Sequence, residues 1–266
     1  MFRTKNRFTI YSQILVQLIR EDLVHFKYVL INKFIDIALW TTTMLIIMGY
    51  VLQSFGLTPE YGLFMIAGVL VSSIQLDIYP QATTLVVDYE GKRRINFYLT
   101  LPMPSWLIVM RRGLSNAITS SILCLPILPV AKIILWNTFS IGTVNFIHFL
   151  IIFLTVNLFF GFFSIWIASV VPNMQLLTRI SRRIQTPLWF FGCFQFSWHT
   201  LYKIFPTLAI LDLANPYTYA MEAMRVAIIG QEGYLPFWPC VGILLMGTII
   251  CAIWGHIILR KRLDFI

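Results

Sequence analysis

Residues 144–171 read VNFIHFLIIFLTVNLFFGFFSIWIASVV and contain no Asp, Glu, Lys or Arg. A helix needs about 20 predominantly apolar residues to cross the hydrocarbon core of a bilayer, and this run is long enough. The strands of a membrane barrel alternate apolar and polar residues over about ten positions, whereas this run is continuously apolar. It therefore predicts a membrane-spanning helix.

The composition of the whole chain agrees with that prediction. The chain has 266 residues, of which 58% are hydrophobic and only 12% are charged, and its mean hydropathy is +0.78. A soluble domain needs a larger charged surface, and a disordered chain needs low hydrophobicity. The composition excludes both classes and predicts an all-α integral membrane protein with a single transmembrane domain over residues 1–266.

Further uncharged runs predict six spans in total. Residues 37–59 and 233–259 contain no charged residue, and residues 61–87 contain only Asp77. The uncharged run 133–178 is too long for one helix, and its polar stretch NTFSIGT at 137–143 divides it. The predicted spans are about 35–55, 62–86, 113–135, 144–171, 184–202 and 236–259.

The basic residues predict the orientation of these spans. With six spans, 17 of the 20 Lys and Arg residues fall on one side of the membrane, and only Lys132, Lys203 and Arg225 fall on the other. Cytoplasmic loops carry the excess of Lys and Arg, so both termini are expected in the cytoplasm. The net charge of +9 then reflects orientation in a membrane, and no nucleic-acid partner is expected.

Two of the predicted cytoplasmic segments are amphipathic. In residues 1–33, apolar residues recur at helical spacing among basic and amide side chains, which favours a helix in the membrane interface over a solvated leader. Residues 88–112 form the longest cytoplasmic loop, where an apolar stretch ends at Pro102. A short helix there suits docking to a soluble partner, and a second interface helix is the alternative.

The predicted external segment 203–235 contains a short helix before the last span. Asn215 is a favourable N-cap, Pro216 fits the first helical position, and Gly230 is a plausible stop. A helix over 216–229 is about 21 Å long, which is too short to cross. Its Glu222 and Arg225 are spaced to pair. We expect a short re-entrant helix that packs back on the bundle.

The string NPYTYAMEAMRVAIIG at 215–230 resembles the NPxTYxxExxR signature of ABC type-2 permeases, the membrane subunits of ATP-binding-cassette exporters. That family is similar in plan, with an N-terminal interface helix, six spans and a coupling helix between spans 2 and 3. The Arg-Glu, Gly-Thr and Thr-Pro elements of its coupling loop are displaced or replaced here. The signature residues in this chain are Asn215, Pro216, Thr218, Tyr219, Glu222 and Arg225.

The resemblance implies a mechanism. Permeases of this family dimerise and bind two ATPase subunits, whose hydrolysis of ATP moves the coupling helices. This chain has no GxxxxGK[ST] loop, so it is expected to be no enzyme, and ATP and Mg²⁺ would bind through the partner. The implied location is a bacterial cytoplasmic (inner) membrane, and the implied cargo is a lipid, a lipid-linked saccharide or a hydrophobic drug. The residues expected to couple to the ATPase are Glu90, Gly91, Phe97, Tyr98, Leu99 and Pro102.

Four further side chains are candidates to line the pathway. Asp77 is an ionisable residue inside a predicted span, which suggests function, and Gln75 lies close to it. A bond to a neighbouring helix, or a place near the cytoplasmic end, is the alternative for Asp77. Trp189 and Trp198 belong to an aromatic stretch that is either a pathway lining or an interfacial belt. The histidines and cysteines are dispersed, so no metal site is expected.

Other classes of membrane protein stay open at this stage. A secondary transporter or channel would work without an ATPase and usually has an internal repeat, which is not evident between the two halves of the chain. A membrane-embedded enzyme would need a cluster of nucleophile, base or metal ligands near the interface, which the motifs do not supply. A structural subunit of a larger complex is a further alternative.

Overall fold

A computed structural model describes residues 7–58, 60–92 and 104–264 of the chain. Within those ranges the chain is helical and forms no β-strand. Turns of π or 3-10 type lie at Ile47–Val51, Leu52–Phe55, Asp88–Lys92, Ile141–Thr143 and Ser181–Gln185. The helices are α1 (Arg7–Ile46), α2 (Tyr61–Leu76), α3 (Ile78–Val87), α4 (Trp106–Cys124), α5 (Ile127–Ile134), α6 (Phe146–Val170), α7 (Met174–Ile180), α8 (Thr186–Phe191), α9 (Trp198–Ile204), α10 (Pro206–Asp212), α11 (Pro216–Ile228) and α12 (Phe237–Asp264).

Five helical segments of the described chain are long and apolar enough to cross a membrane. They are Ile10–Phe55, Tyr61–Val87, Trp106–Ile134, Phe146–Val170 and Phe237–Lys261. The first contains the predicted span 35–55, and the others coincide closely with the predicted spans 62–86, 113–135, 144–171 and 236–259. The all-α, membrane-spanning class is therefore confirmed. The predicted span 184–202 is not among these segments, so the count of six stays a prediction.

Helix α1 differs from the predicted division into an interface helix over 1–33 and a span from 35. It is one helix of 40 residues with no break near residue 34. Its sequence contains neither Gly nor Pro, so nothing in the backbone ends it there. At about 60 Å it is twice as long as a bilayer core is thick. Arg111 of α4 holds its first half by donating to both carboxylate oxygens of Asp22, at 3.0 and 2.7 Å.

The region predicted as span 184–202 is also built differently. A helical path runs from α7 through the turn at Ser181–Gln185 into α8 and ends at Phe191. Residues 192–197 are not helical, and α9 starts only at Trp198, where the Ser197 hydroxyl accepts the Thr200 N–H at 3.2 Å. The predicted short helix before the last span is present as α11, whereas α10 was not predicted.

Contacts at the two ends of α6 show how the remaining chain is threaded. The carboxylate of Glu90 accepts the Met174 N–H at 3.2 Å, just beyond the last turn of α6. At the other end, the Asn145 N–H donates to the Ala227 carbonyl at 2.9 Å. The stretch from α7 to α11 thus carries the chain from one end of α6 to the other. We call these the Met174 end and the Asn145 end of the bundle.

Helix α12 runs parallel to α6. The Phe237 ring at its start stacks on His148, with centroids 4.3 Å apart, and Gly255 near its end lies beside Trp166. Helix α12 therefore ends at the Met174 end. Helix α4 begins there too, because it runs antiparallel to α3: Asp77 bonds to Ser120, and Gln81 bonds to the earlier Asn116. Tyr11, near the start of α1, packs edge-on against Trp106 at the start of α4, so α1 also begins at this end. A Cβ on Gly161 of α6 would lie 2.7 Å from the Gly113 carbonyl of α4, so this pair of helices crosses unusually closely.

Candidate functional site

Helix α11 lies inside the bundle and carries the signature residues. It contacts α2, α6 and α12, and all its side chains except those of Pro216 and Tyr219 are buried. Ala220, Ala223 and Ala227 present small side chains, which lets the neighbouring helices approach closely. The N-cap prediction is confirmed, because the Asn215 side-chain oxygen accepts the Tyr217 N–H at 3.1 Å.

The predicted pair of Glu222 and Arg225 forms in the interior. Arg225 Nη1 lies 3.2 Å from Glu222 Oε1, and both side chains are 0% exposed. The guanidinium also donates to the carbonyls of Phe196 (3.2 Å), Phe194 (2.9 Å) and Cys193. A buried charge is tolerable only with such partners.

Glu222 ties two further backbone segments to this pair. Its Oε1 accepts the Trp198 N–H at 3.0 Å, and its Oε2 accepts the Leu235 N–H at 3.1 Å. The first donor opens α9, and the second lies in the connection before α12. One ion pair therefore satisfies backbone groups on both sides of α11.

The non-helical residues 192–197 need this help because part of their backbone is buried. Cys193 and Phe194 are 0% and 1% exposed. A Cβ on Gly68 of α2 would lie 3.0 Å from the Phe194 carbonyl oxygen, and one on Gly192 would overlap the Tyr217 side chain. Both glycines thus permit the close approach. Buried backbone carbonyls need hydrogen-bond partners, and Arg225 supplies donors to three of them.

A second polar cluster fixes the start of α11. Thr218 Oγ1 donates to Asp212 Oδ2 at 2.8 Å, and Asn215 Nδ2 donates to Asp212 Oδ1 at 3.0 Å. Asn215 also donates to the Leu188 carbonyl at 2.7 Å, which ties α11 to α8. Two signature residues, Asn215 and Thr218, thus join α11 to α8 and α10 by hydrogen bonds.

A cavity of about 760 Å³, here called the large cavity, opens at the Asn145 end beside this network. Tyr61, Phe64 and Tyr234 contribute aromatic walls, and Glu60 and Glu232 contribute carboxylates. The Phe64 ring separates the cavity from the ion pair, since the Arg225 guanidinium lies 3.8 Å from its centroid. Tyr61 also bonds to the non-helical residues 192–197, because its hydroxyl donates to the Gln195 carbonyl at 2.9 Å.

A smaller cleft of about 210 Å³, here called the small cleft, lies between α1 and the junction of α2 with α3. Asp77 occupies that junction, and its Oδ1 lies 2.7 Å from Lys33 Nζ of α1. Its Oδ2 accepts from Gln81 at 2.7 Å and from Ser120 of α4 at 3.1 Å. Asp77 is thus bonded to neighbouring helices, as the alternative interpretation of this residue expected, and it also lines a cleft.

The other predicted pathway residues do not meet Asp77 in one cavity. Gln75 is buried beside the phenol of Tyr217. Trp189 Nε1 donates to Ser72 Oγ at 2.8 Å in the interior, and Trp198 Nε1 donates to the Ala209 carbonyl at 2.8 Å. Their role in a pathway stays a prediction.

Of the residues predicted to couple to an ATPase, Glu90 and Gly91 are described. They lie in the turn Asp88–Lys92 after α3, where Glu90 holds the start of α7 and Gly91 is exposed. Phe97, Tyr98, Leu99 and Pro102 lie outside the described residues.

Sequence reasoning missed several partners in these sites. Lys33, Gln81 and Ser120 surround Asp77, and Asp212 anchors the start of α11. A Lys placed just before an apolar run is an ordinary feature of a span end, so it gave no signal of an ion pair. Asp212 had a usable signal, because it lies three residues before the N-cap Asn215.

No model of a known protein family matches the chain, and no curated protein matches it. Among the described residues, no three His, Cys, Asp or Glu side chains come together in a way that could hold a metal ion.

Proposed function

We propose that this chain is the membrane-spanning permease subunit of an ATP-driven exporter of the ABC type-2 class. In this proposal it forms a homodimer in a bacterial cytoplasmic membrane with both termini inside, and two separate ATPase subunits bind ATP and Mg²⁺. The cargo is amphipathic and passes between lipid and water. The stretch from α7 to α11 supplies the sixth crossing in an interrupted form.

The observation that carries the proposal is the behaviour of the signature string at 215–230. Its Asn, Thr, Glu and Arg side chains are buried, and each forms a hydrogen bond with another segment of the stretch from α7 to α11. If the match to the signature were due to chance, we would not expect its Glu and Arg to be buried together, because burying charged side chains is costly. Broken helices near the middle of a bundle are typical of transport proteins.

The position of Glu90 supports a coupling role for the segment that follows it. Its carboxylate links the end of the α3 region to the first turn of α7. Helix α7 leads through α8 to the non-helical residues 192–197. A displacement of residues 93–103 by a docked ATPase would therefore pull on the helices that carry the Arg225 network. In this way, movement of the ATPase would change the shape of the large cavity beside that network.

The decisive experiment is purification of the full chain in mild detergent from its native membrane. We expect a P-loop ATPase to co-purify in stoichiometric amount, and its ATP hydrolysis to fall when Phe97, Tyr98 and Leu99 are replaced by Ala. A matched control replaces Ile133 and Trp136 by Ala, since both are apolar and exposed near the Asn145 end. An isolated chain that transports without any ATPase would overturn the proposal in favour of a secondary transporter or channel.

A further inference from the structure

We propose that the large cavity binds amphipathic organic cations. This inference rests on the proposed function and deepens it, because it names the charge class of the exported cargo. The required ligand has an apolar or aromatic body and a single positive centre.

The dimensions and walls of the large cavity suit such a ligand. Its volume of about 760 Å³ is within the range of small-molecule pockets. The rings of Tyr61 and Phe64 stack with centroids 5.6 Å apart, and Phe64 and Tyr234 lie 6.4 Å apart. Aromatic faces attract cations as well as apolar surface, so these walls contribute to both parts of the ligand.

The charge of the lining decides between cations and anions. Glu60 and Glu232 line the cavity, and no Lys or Arg is among the described residues that do. Neither carboxylate has a salt-bridge partner within the part of the chain that the structure describes. Arg225 adds no net charge from beneath, because it is fully buried and paired with Glu222. In a chain of net charge +9, this lining is locally negative and repels an anionic lipid phosphate.

The small cleft has the same character further along α2. Its charged lining consists of Asp36, Asp77 and Lys33, so it is also net negative, and the Trp40 indole lies beside them. Asp77 is about 24 Å along the helix from Tyr61. A cation that leaves the lipid at the cleft would therefore find acidic and aromatic side chains at both cavities.

The test compares two ions of the same shape and opposite charge, tetraphenylphosphonium and tetraphenylborate. Equilibrium binding is measured on the full chain in phosphatidylcholine nanodiscs, with empty nanodiscs subtracted. We expect saturable binding of the cation alone, at least tenfold weaker in the Glu60→Gln, Glu232→Gln double variant. Glu21→Gln is the matched control, because Glu21 lies in the first half of α1, about 37 Å along that helix from its end at Ile46, and no described residue of α1 lines the cavity. It should bind the cation as the unaltered chain does.

Equal binding of the two ions, or unaltered cation binding in the double variant, would overturn the inference. Both glutamates are exposed, so their replacement should leave the thermal midpoint unchanged and the folded state can be checked directly. Cation binding by a chain that recruits no ATPase would leave the site standing and overturn the exporter. A co-purifying ATPase without cation binding would do the reverse.

Discussion

Arg225 lies where an unpaired charge would be most costly. It is 0% exposed, and one guanidinium satisfies a carboxylate and three backbone carbonyls. Lys could supply the same charge, but its compact ammonium lacks the planar fork that reaches several acceptors at once. The geometry of the fork, as well as the charge, therefore holds residues 193–196 against α11.

We expect Arg225→Lys to lower the thermal midpoint of the detergent-solubilised chain clearly, and Arg225→Met to lower it further. Removing one member of a buried pair leaves the other unmatched, at a cost of about 3–5 kcal/mol. Arg182→Met is the control, since Arg182 is exposed and should change little. The Glu222→Gln, Arg225→Met double variant should lose less than the sum of its two single variants. A fully additive result would mean that the two side chains act independently.

Helix α11 and the break at 192–197 show what local sequence can and cannot predict. Asn215, Pro216 and Gly230 are local signals of a start and a stop, and the helix lies where they predict it. The break follows an apolar aromatic run that resembles a span, and Gly192 is a weak local signal. Tertiary contacts decide where the helix breaks. Gly68 leaves room for the Phe194 backbone, and the Arg225 guanidinium donates hydrogen bonds to the carbonyls of the break. The ion pair between Asp77 and Lys33 could not be predicted from local sequence either, because the two residues are 44 positions apart.

The crossing of α4 and α6 gives a prediction about elements. A side chain at Gly161 must displace the Gly113 carbonyl or the Ala117 backbone, 2.7 and 3.0 Å from its Cβ, so the helices have to separate. We expect Gly161→Leu to destabilise the fold by about 1–3 kcal/mol or to prevent accumulation of the protein. Gly242→Ala is the control, because that helical glycine has open space around it. Thermal midpoints and membrane yields of both variants test this, and a stable Gly161→Leu chain would contradict the close crossing.

Across the whole molecule, charge and threading together imply a sidedness. Of the described basic residues, Arg179, Arg182, Arg183 and Arg260 lie near the Met174 end, where α1 begins and α12 ends, while the lining of the large cavity at the Asn145 end is acidic. Five long segments alone would leave the two termini on opposite sides of a membrane. The interrupted stretch from α7 to α11 resolves this if it crosses too, because it leads from Met174 to Ala227.

Cysteine labelling on intact cells tests that sidedness and the sixth crossing together. The native cysteines are all buried, so a membrane-impermeant maleimide should react little with the unaltered chain. Gln231, Arg182 and Lys261 are exposed and offer sites for single Cys substitutions. We expect Gln231→Cys to be labelled from outside, and Arg182→Cys and Lys261→Cys only after permeabilisation. If the stretch from α7 to α11 did not cross, Gln231→Cys and Arg182→Cys would react from the same side, and the six-span topology would have to be abandoned.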